Sequence, residues 1–312
     1  MVDSRKKHVL IYGDAFVDYI AGDYSNSTFT TFLGGATVNV AAGISRLGAT
    51  SAFITVTGDD ATSKFVRDEL QKEGVELSYA KIVPHKRVSG VYVHLTEEND
   101  RIFHRYIDET PDTQVMYSDL DEEAFRQASV LHLCSGTMFH PTALKTTQDA
   151  VRLAKKTGTP FSMDANIRPL RWGSEETCRK TIMSFAKQAD ILKLTEEELF
   201  FLTETETIED GVAKLAAYRI PVVLITVGEN GTFAVLDGTM THVGVEPIEP
   251  VDTTGAGDAF VAGILRQIHL KGQPVNREQW HEYISFGNRL GALCATKSGA
   301  LSAMPRLEDI EE

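Results

Sequence analysis

Residues 252–263 read Asp-Thr-Thr-Gly-Ala-Gly-Asp-Ala-Phe-Val-Ala-Gly, an acidic residue among small residues where a loop should become a helix. Gly255, Ala256 and Gly257 carry almost no side chain, so a ligand can approach their backbone, and at a helix N-terminus their N–H groups lack intrahelical partners. The aligned peptide dipoles there favour negative charge, as a phosphoryl group acquires in flight. Asp258, in the first turn, is placed to accept a proton from an attacking hydroxyl. The same residues would equally serve as an acidic N-terminal region of a buried helix, with Asp258 only complementing the dipole.

Other segments add polar groups, each with a plain structural alternative. Gly34-Gly35 precedes a helix whose first turns carry Asn39, a donor and an acceptor together; a Gly-Gly pair there is also an ordinary turn. Asp18 lies beyond the first strand and suits sugar hydroxyls, although an exposed loop carboxylate is the commoner explanation. Asp164, Asn166 and Arg168 alternate after a strand, and in extended backbone would face one way as a site edge. Pro169 would end that strand, and Trp172 reads as a packing anchor. Thr195 and Glu198 have capping-box spacing, a structural role, while Glu198 could also hold Mg²⁺ through water. Thr226, Gly228 and Gly231 form a glycine-bounded turn that could wrap a nucleotide or simply join two strands. No Gly-x-x-x-x-Gly-Lys-Ser/Thr loop, protein-kinase motif set or zinc-spaced His/Cys cluster is present, so kinase chemistry would need residues 255–258.

These residues must be positioned by elements. Apolar runs at 8–12, 51–57, 130–134, 160–164, 191–194 and 222–227 read as buried strands, with a further strand at 232–236. Amphipathic patterns at 37–47, 61–73, 141–157, 175–188, 196–203 and 208–218 read as helices between them. Such alternation indicates an α/β fold with a mainly parallel sheet, helices on both faces, and ligands at the carboxyl ends of the strands. Residues 14–32 and 86–106 break the pattern and read as antiparallel ribbon, with a hairpin turning at 97–100. Together they would form a lid over the strand ends, or a rigid extension of the main sheet.

The chain has 312 residues, 42% hydrophobic and 24% charged, as in ordinary globular proteins. Its formal charge of −13, from 31 basic and 44 acidic residues, argues against a nucleic-acid or anionic-membrane surface. Cys134, Cys178 and Cys294 are few and widely spaced, which fits a reducing, cytoplasmic setting. A polar N-terminus and the lack of an apolar run near the roughly 18 residues of a membrane span argue against secretion and membrane insertion.

Taken in order and separation, Gly34-Gly35 with Asn39, Asp164-x-Asn166-x-Arg168, and Asp252-Thr253-Thr254-Gly255-Ala256-Gly257-Asp258 resemble the ribokinase-like (PfkB) carbohydrate kinases over essentially the whole chain. The resemblance implies one kinase domain over residues 1–312. Its fold would be a three-layer sandwich, a central mostly parallel sheet between helices, with a small β-lid from about 14–32 and 86–106. It also implies transfer of the γ-phosphoryl of ATP to a hydroxymethyl group of a sugar or nucleoside. Asp258 then corresponds to the base, and Gly255, Ala256 and Gly257 to the anion hole. Asp18, Gly34, Gly35 and Asn39 correspond to sugar contacts, Thr226, Gly228 and Gly231 to the nucleotide loop, with Asn288 beside the adenine. Asp252, Thr254 and Gly299 match a monovalent-cation site often filled by K⁺. The family commonly has Asn-x-x-Glu where this chain has Thr195-x-x-Glu198, which leaves Glu198 as the better Mg²⁺ candidate of the two.

The stretch from Asp164 to Trp172 resembles fructokinases and 2-keto-3-deoxygluconate kinases more than ribokinases. Arg105 and Arg168 could both reach substrate, and two arginines would favour a carboxylate. The preferred expectation is nevertheless fructokinase, acting at O6, or at O1 if the sugar binds reversed. The keto-acid kinase is the alternative, and a non-catalytic sugar or nucleotide sensor is the alternative of another class. Pairing of two lids across a two-fold axis would make a homodimer.

Overall fold

The computed structural model describes residues 6–96 and 101–310; the turn expected at 97–100 lies outside the described residues. In chain order the elements begin β1 (His8–Tyr12), β2 (Phe16–Ala21), β3 (Phe29–Gly34), α1 (Ala36–Arg46), β4 (Ser51–Thr57) and α2 (Ala61–Lys72). They continue β5 (Ala80–Ile82), β6 (Ser89–Leu95), β7 (Arg101–Ile107), α3 (Glu122–Gln127), β8 (Ala128–Cys134), α4 (Pro141–Thr157) and β9 (Phe161–Asp164). Then come α5 (Glu175–Ala186), β10 (Ile191–Thr195), α6 (Glu196–Thr203), α7 (Ile208–Leu215), β11 (Val222–Thr226), β12 (Thr232–Leu236), β13 (Thr239–Val243), α8 (Ala256–Lys271) and α9 (Arg277–Ala295).

Nine strands form the main sheet in the order β13-β12-β11-β10-β9-β8-β1-β4-β5. Pairing is parallel from β5 through to β11 and antiparallel for β11–β12 and β12–β13. Alternate residues of each strand enter opposite cores. Leu10 and Tyr12 join Val151 of α4, Ile182 of α5 and Leu199 of α6 on one face. Val9 and Ile11 join Ile44 of α1, Val66 of α2, Ile264 of α8 and Ile284 of α9 on the other. Each such buried aliphatic side chain contributes about 1.5–3 kcal/mol of transfer free energy. The three layers are therefore helix, sheet, helix, and the parallel strands place their carboxyl ends along one edge.

A second sheet of four strands, β3-β2-β6-β7, stands apart from the first. Both expected ribbon segments contribute to it, but they join through a parallel β2–β6 pair rather than an all-antiparallel ribbon. Across one face of this sheet Phe32, Asp18, Val91 and Tyr106 lie in a row, in direct register. Phe16, two residues from Asp18 on the same face, makes a tilted ring contact with Tyr106. Arg171, from the loop after β9, places its guanidinium 5.0 Å from the Tyr106 ring and 4.8 Å from Phe139, tying the small sheet to the body.

Candidate active site

Helix α8 opens where the sheet's carboxyl edge meets the small sheet. Gly255 is its N-cap, at φ +84°, and a side chain there would meet the Ala300 backbone at 2.8 Å, so the position requires glycine. The Ala256 amide turns back to the Thr253 carbonyl at 3.2 Å, while Gly257 and Asp258 occupy the first turn, whose amides have no carbonyl four residues back within the helix.

Asp258 is 8% exposed, and its Oδ2 accepts a 2.8 Å bond from Asn39 Nδ2. The approach depends on a close helix crossing. One turn beyond these residues, a carbon added to Gly43 of α1 would lie 2.9 Å from Ala262 Cβ of α8. Glycine therefore sets the separation at which Asn39 reaches Asp258. Asn39 Oδ1 is buried and has no hydrogen-bond partner among the described residues. Burial pushes the Asp258 carboxyl up to about 6, and Asp164 adds to this; the Asn39 bond, Lys193 and Arg168 hold it back. A carboxylate so tuned is ionised at neutral pH yet basic enough to take a proton.

Asp18 lies beside Gly34, where a side-chain carbon would collide with its carboxylate at 2.5 Å. Gly35, at φ +107°, is the N-cap of α1 and packs against Asp14 and Phe16. Asp14 itself is pushed up to about 6 by burial, relieved by Lys86, opposed by Asp108 and relieved again by Arg171.

Several expectations are corrected. Arg105 stacks on Tyr92, 5.9 Å from its ring centre, on the sheet face shared with Tyr19 and opposite Asp18, so it does not reach the cleft. The Asp164, Asn166, Arg168 row does not form: β9 ends at Asp164, and Asn166 turns the chain at φ +41°. Asp164 instead points into the body, and Pro169 opens a short 3₁₀ turn beyond the strand. Arg168 is exposed but close enough to Asp258 to favour its ionised form.

Thr195 and Glu198 form the anticipated capping box, and Glu198 spends both oxygens on amides: Ile167 at 2.7 Å and Thr195 at 2.9 Å. Burial and Asp164 push its carboxyl up. The polar atoms of Asn288 are likewise committed, donating to the carbonyls of Val243 and Gly244 and accepting from Thr232 Oγ1 at 2.6 Å, so it braces α9 against β12 and β13. Thr226, Gly228 and Gly231 form the β11–β12 hairpin turn, the structural alternative. Gly228 nevertheless faces open space, with room for a ligand over its backbone.

Asp252 Oδ1 accepts the Thr254 amide and Oδ2 the Gly299 amide, each at 2.9 Å, so the predicted cation residues do come together as two clasped loops. Among the described residues no three His, Cys, Asp or Glu side chains are grouped closely enough to hold a metal. A divalent ion would be carried here mainly by phosphates and water, with Glu198 as the carboxylate that would reach it through water.

One central residue escaped the sequence reading. Lys193 sits in β10 opposite Asp164 of β9, its Nζ 3.2 Å from both carboxylate oxygens and its side chain 7% exposed. A lysine in an apolar run gives no signal of its own; only the strand register reveals the partner.

The sequence profile of the pfkB family carbohydrate kinases matches residues 6–307. The fructokinase of Klebsiella pneumoniae is 34% identical over 304 residues, 97% of this chain and 98% of the relative. That of Vibrio alginolyticus is 33% identical over 297 residues, 95% of each. Among solved structures, the fructokinase of Vibrio cholerae O395 with fructose, ADP and calcium ion bound superposes with a TM-score of 0.85 at 30% identity, covering 99% of both chains. Aminoimidazole riboside kinase from Salmonella enterica, complexed with aminoimidazole riboside and an ATP analogue, gives a TM-score of 0.84 at 26% identity, covering 97% of this chain and 98% of that one. With a buried carboxylate at the mouth of α8, a β-sheet facing it and this agreement along nearly its full length, the chain belongs to the pfkB family of carbohydrate kinases.

Proposed function

We propose that the protein is an ATP-dependent fructokinase, working as one unit along the chain with the small sheet as its lid. The observation that carries the reading is the Asn39–Asp258 pair: a buried base oriented by an amide whose other end lacks a partner. Sugar hydroxyls would satisfy Asn39 Oδ1 and bridge to Asp18 and the Gly34-Gly35 backbone. The hydroxymethyl group then points at Asp258. Asp258 takes the hydroxyl proton, and the amides of Gly257 and Asp258 face the phosphoryl. Mg²⁺, when bound with the nucleotide, neutralises phosphate charge; K⁺ would order the clasped loops around Asp252, Thr254 and Gly299. The nucleotide would lie over the open face of Gly228, beside Thr226. Closure of the lid excludes water and so suppresses ATP hydrolysis.

Fructose is favoured over 2-keto-3-deoxygluconate because Arg105, one of the two arginines expected at the substrate, stacks on the far lid face, and Arg171 is held between the Tyr106 and Phe139 rings. The exposed Phe32 and Tyr106 on the lid's inner face fit a homodimer through the lids, and three buried free cysteines fit a cytoplasmic setting. A coupled ADP-release assay on fructose, the keto acid and aminoimidazole riboside tests the substrate. The expected ranking by kcat/KM puts fructose first; either competitor ahead of it overturns the assignment, and saturable sugar binding without ATP consumption means a sensor. Asp258→Asn should lower kcat by about 10²–10⁴-fold with ATP affinity retained.

A further inference from the structure

We propose that the Lys193 ammonium is a catalytic group, touching the phosphoryl as it crosses from nucleotide to sugar, beside the amides that open α8. This rests on the kinase reading above. Lys193 shares its face of β10 with Ile191, which packs toward α8, so the ammonium is directed to that helix and not into the opposite core. A carbon added to Gly257 would lie 3.1 Å from Nζ, so the helix opening is built around the ammonium as well as the amides.

Stability does not account for the lysine. Replacing a buried ion pair by apolar residues is often neutral or stabilising. Both contacts to Asp164 are 3.2 Å, longer than the roughly 2.7–2.9 Å of a tight charge-assisted bond, and both go to one carboxylate. An ammonium has three donors, which leaves it able to take a further anionic ligand. Burial alone would lower its pKa, but Asp164, Glu198 and Asp258 outweigh this and raise it, so the group is cationic throughout the working range. Asp164, Glu198 and Asp258 all act on Lys193, and Lys193 and Arg168 both act on Asp258, so the lysine brings positive charge to the base that a polyanionic nucleotide must approach.

In the step itself the sugar oxygen forms a bond to the γ-phosphorus while the bond from that phosphorus to the β–γ bridging oxygen breaks. The electron pair leaves with ADP, and the hydroxyl proton passes to Asp258. Lys193 neither gives nor takes a proton; it supplies fixed positive charge to the oxygens in transit.

The test must separate this role from mere neutralisation of Asp164. Lys193→Met strands a buried carboxylate and could unfold; Lys193→Met/Asp164→Asn removes both charges and keeps the fold intact, checked by circular dichroism and thermal midpoint. Two readouts are taken on the double variant: kcat and KM on fructose, and the preference for ATP over ADP measured calorimetrically without sugar. The expected result is a kcat lower by about 10²–10³-fold, a fructose KM changed less than about threefold, and loss of the ATP preference. Retention of either the turnover or the ATP preference overturns the proposal, because the lysine then serves Asp164 alone. The sugar-free arm keeps the two readings apart: a wild type inert on fructose condemns the substrate assignment, while the ATP preference still decides Lys193.

Discussion

Asp258 carries opposed demands. As the base proposed above it must be ionised, and with its carboxyl pushed up to about 6 the reaction should have an acid limb near that value, kcat/KM for fructose falling about tenfold per pH unit below it. Steady-state rates from pH 5 to 8 check this, and a flat profile to pH 5 would remove Asp258 from the role. The same elevation makes the ionised group a liability to folding. Because the folded pKa exceeds that of an unfolded aspartate, near 4, the destabilisation is present above about 6 and vanishes below about 4. Asp258→Asn should therefore raise the unfolding free energy from urea titration at pH 8 by on the order of 1 kcal/mol, and leave it unchanged at pH 4. Single residues were legible when small neighbours announced them, as for Asp258 within its glycines or Asn39 after Gly34-Gly35. They were illegible when their meaning came from another strand. Lys193 pairs across β9–β10, Arg105 takes its face from lid register, and Asn288 spends its amide on residues more than forty positions away.

At the level of elements, long periodic runs were readable: β1, β4, α4 and α6 follow their predicted boundaries because one face or a continuous apolar run is buried. The short β5 and α3, with only three and six residues, carry too few apolar positions to show a period. The parallel β2–β6 pair was hidden because a turn signal reports only the strands it joins directly, here β6 and β7. The α1–α8 crossing is the element contact on which the site depends most. A methyl group at position 43 would fall 2.9 Å from Ala262 Cβ and 3.0 Å from Met304 Sδ, and overpacking of this kind costs about 1–3 kcal/mol. Gly43→Ala is expected to lower the thermal midpoint and, by moving Asn39 off Asp258, to lower kcat as well. A variant with reduced stability but unchanged kcat would show that the crossing does not set the base.

For the molecule as a whole, the lid poses a question that one chain does not answer. Asp18 stands between Phe32 on β3 and Tyr106 on β7, and these are 46% and 44% exposed although they belong to the face that meets the cleft. A monosaccharide is too small and too polar to cover both rings. Apolar side chains on a four-stranded sheet are ordinarily packed or protected by charge. A second copy related by a two-fold axis would bring the same face, and would cover both rims of the sugar site at once. The net charge of −13 opposes association at long range but is screened within about 10 Å at 0.1 M salt, so the contact should strengthen as ionic strength rises toward that value. Light scattering should give a mass about twice the 34.4 kDa of one chain at 0.1 M salt. Phe32→Glu, which sets a carboxylate into the apolar rim without touching Asp258, should return it to one. If the wild type is monomeric under those conditions, or Phe32→Glu stays dimeric, the inner lid face is not where two copies meet and must be covered by the body of its own chain on closure.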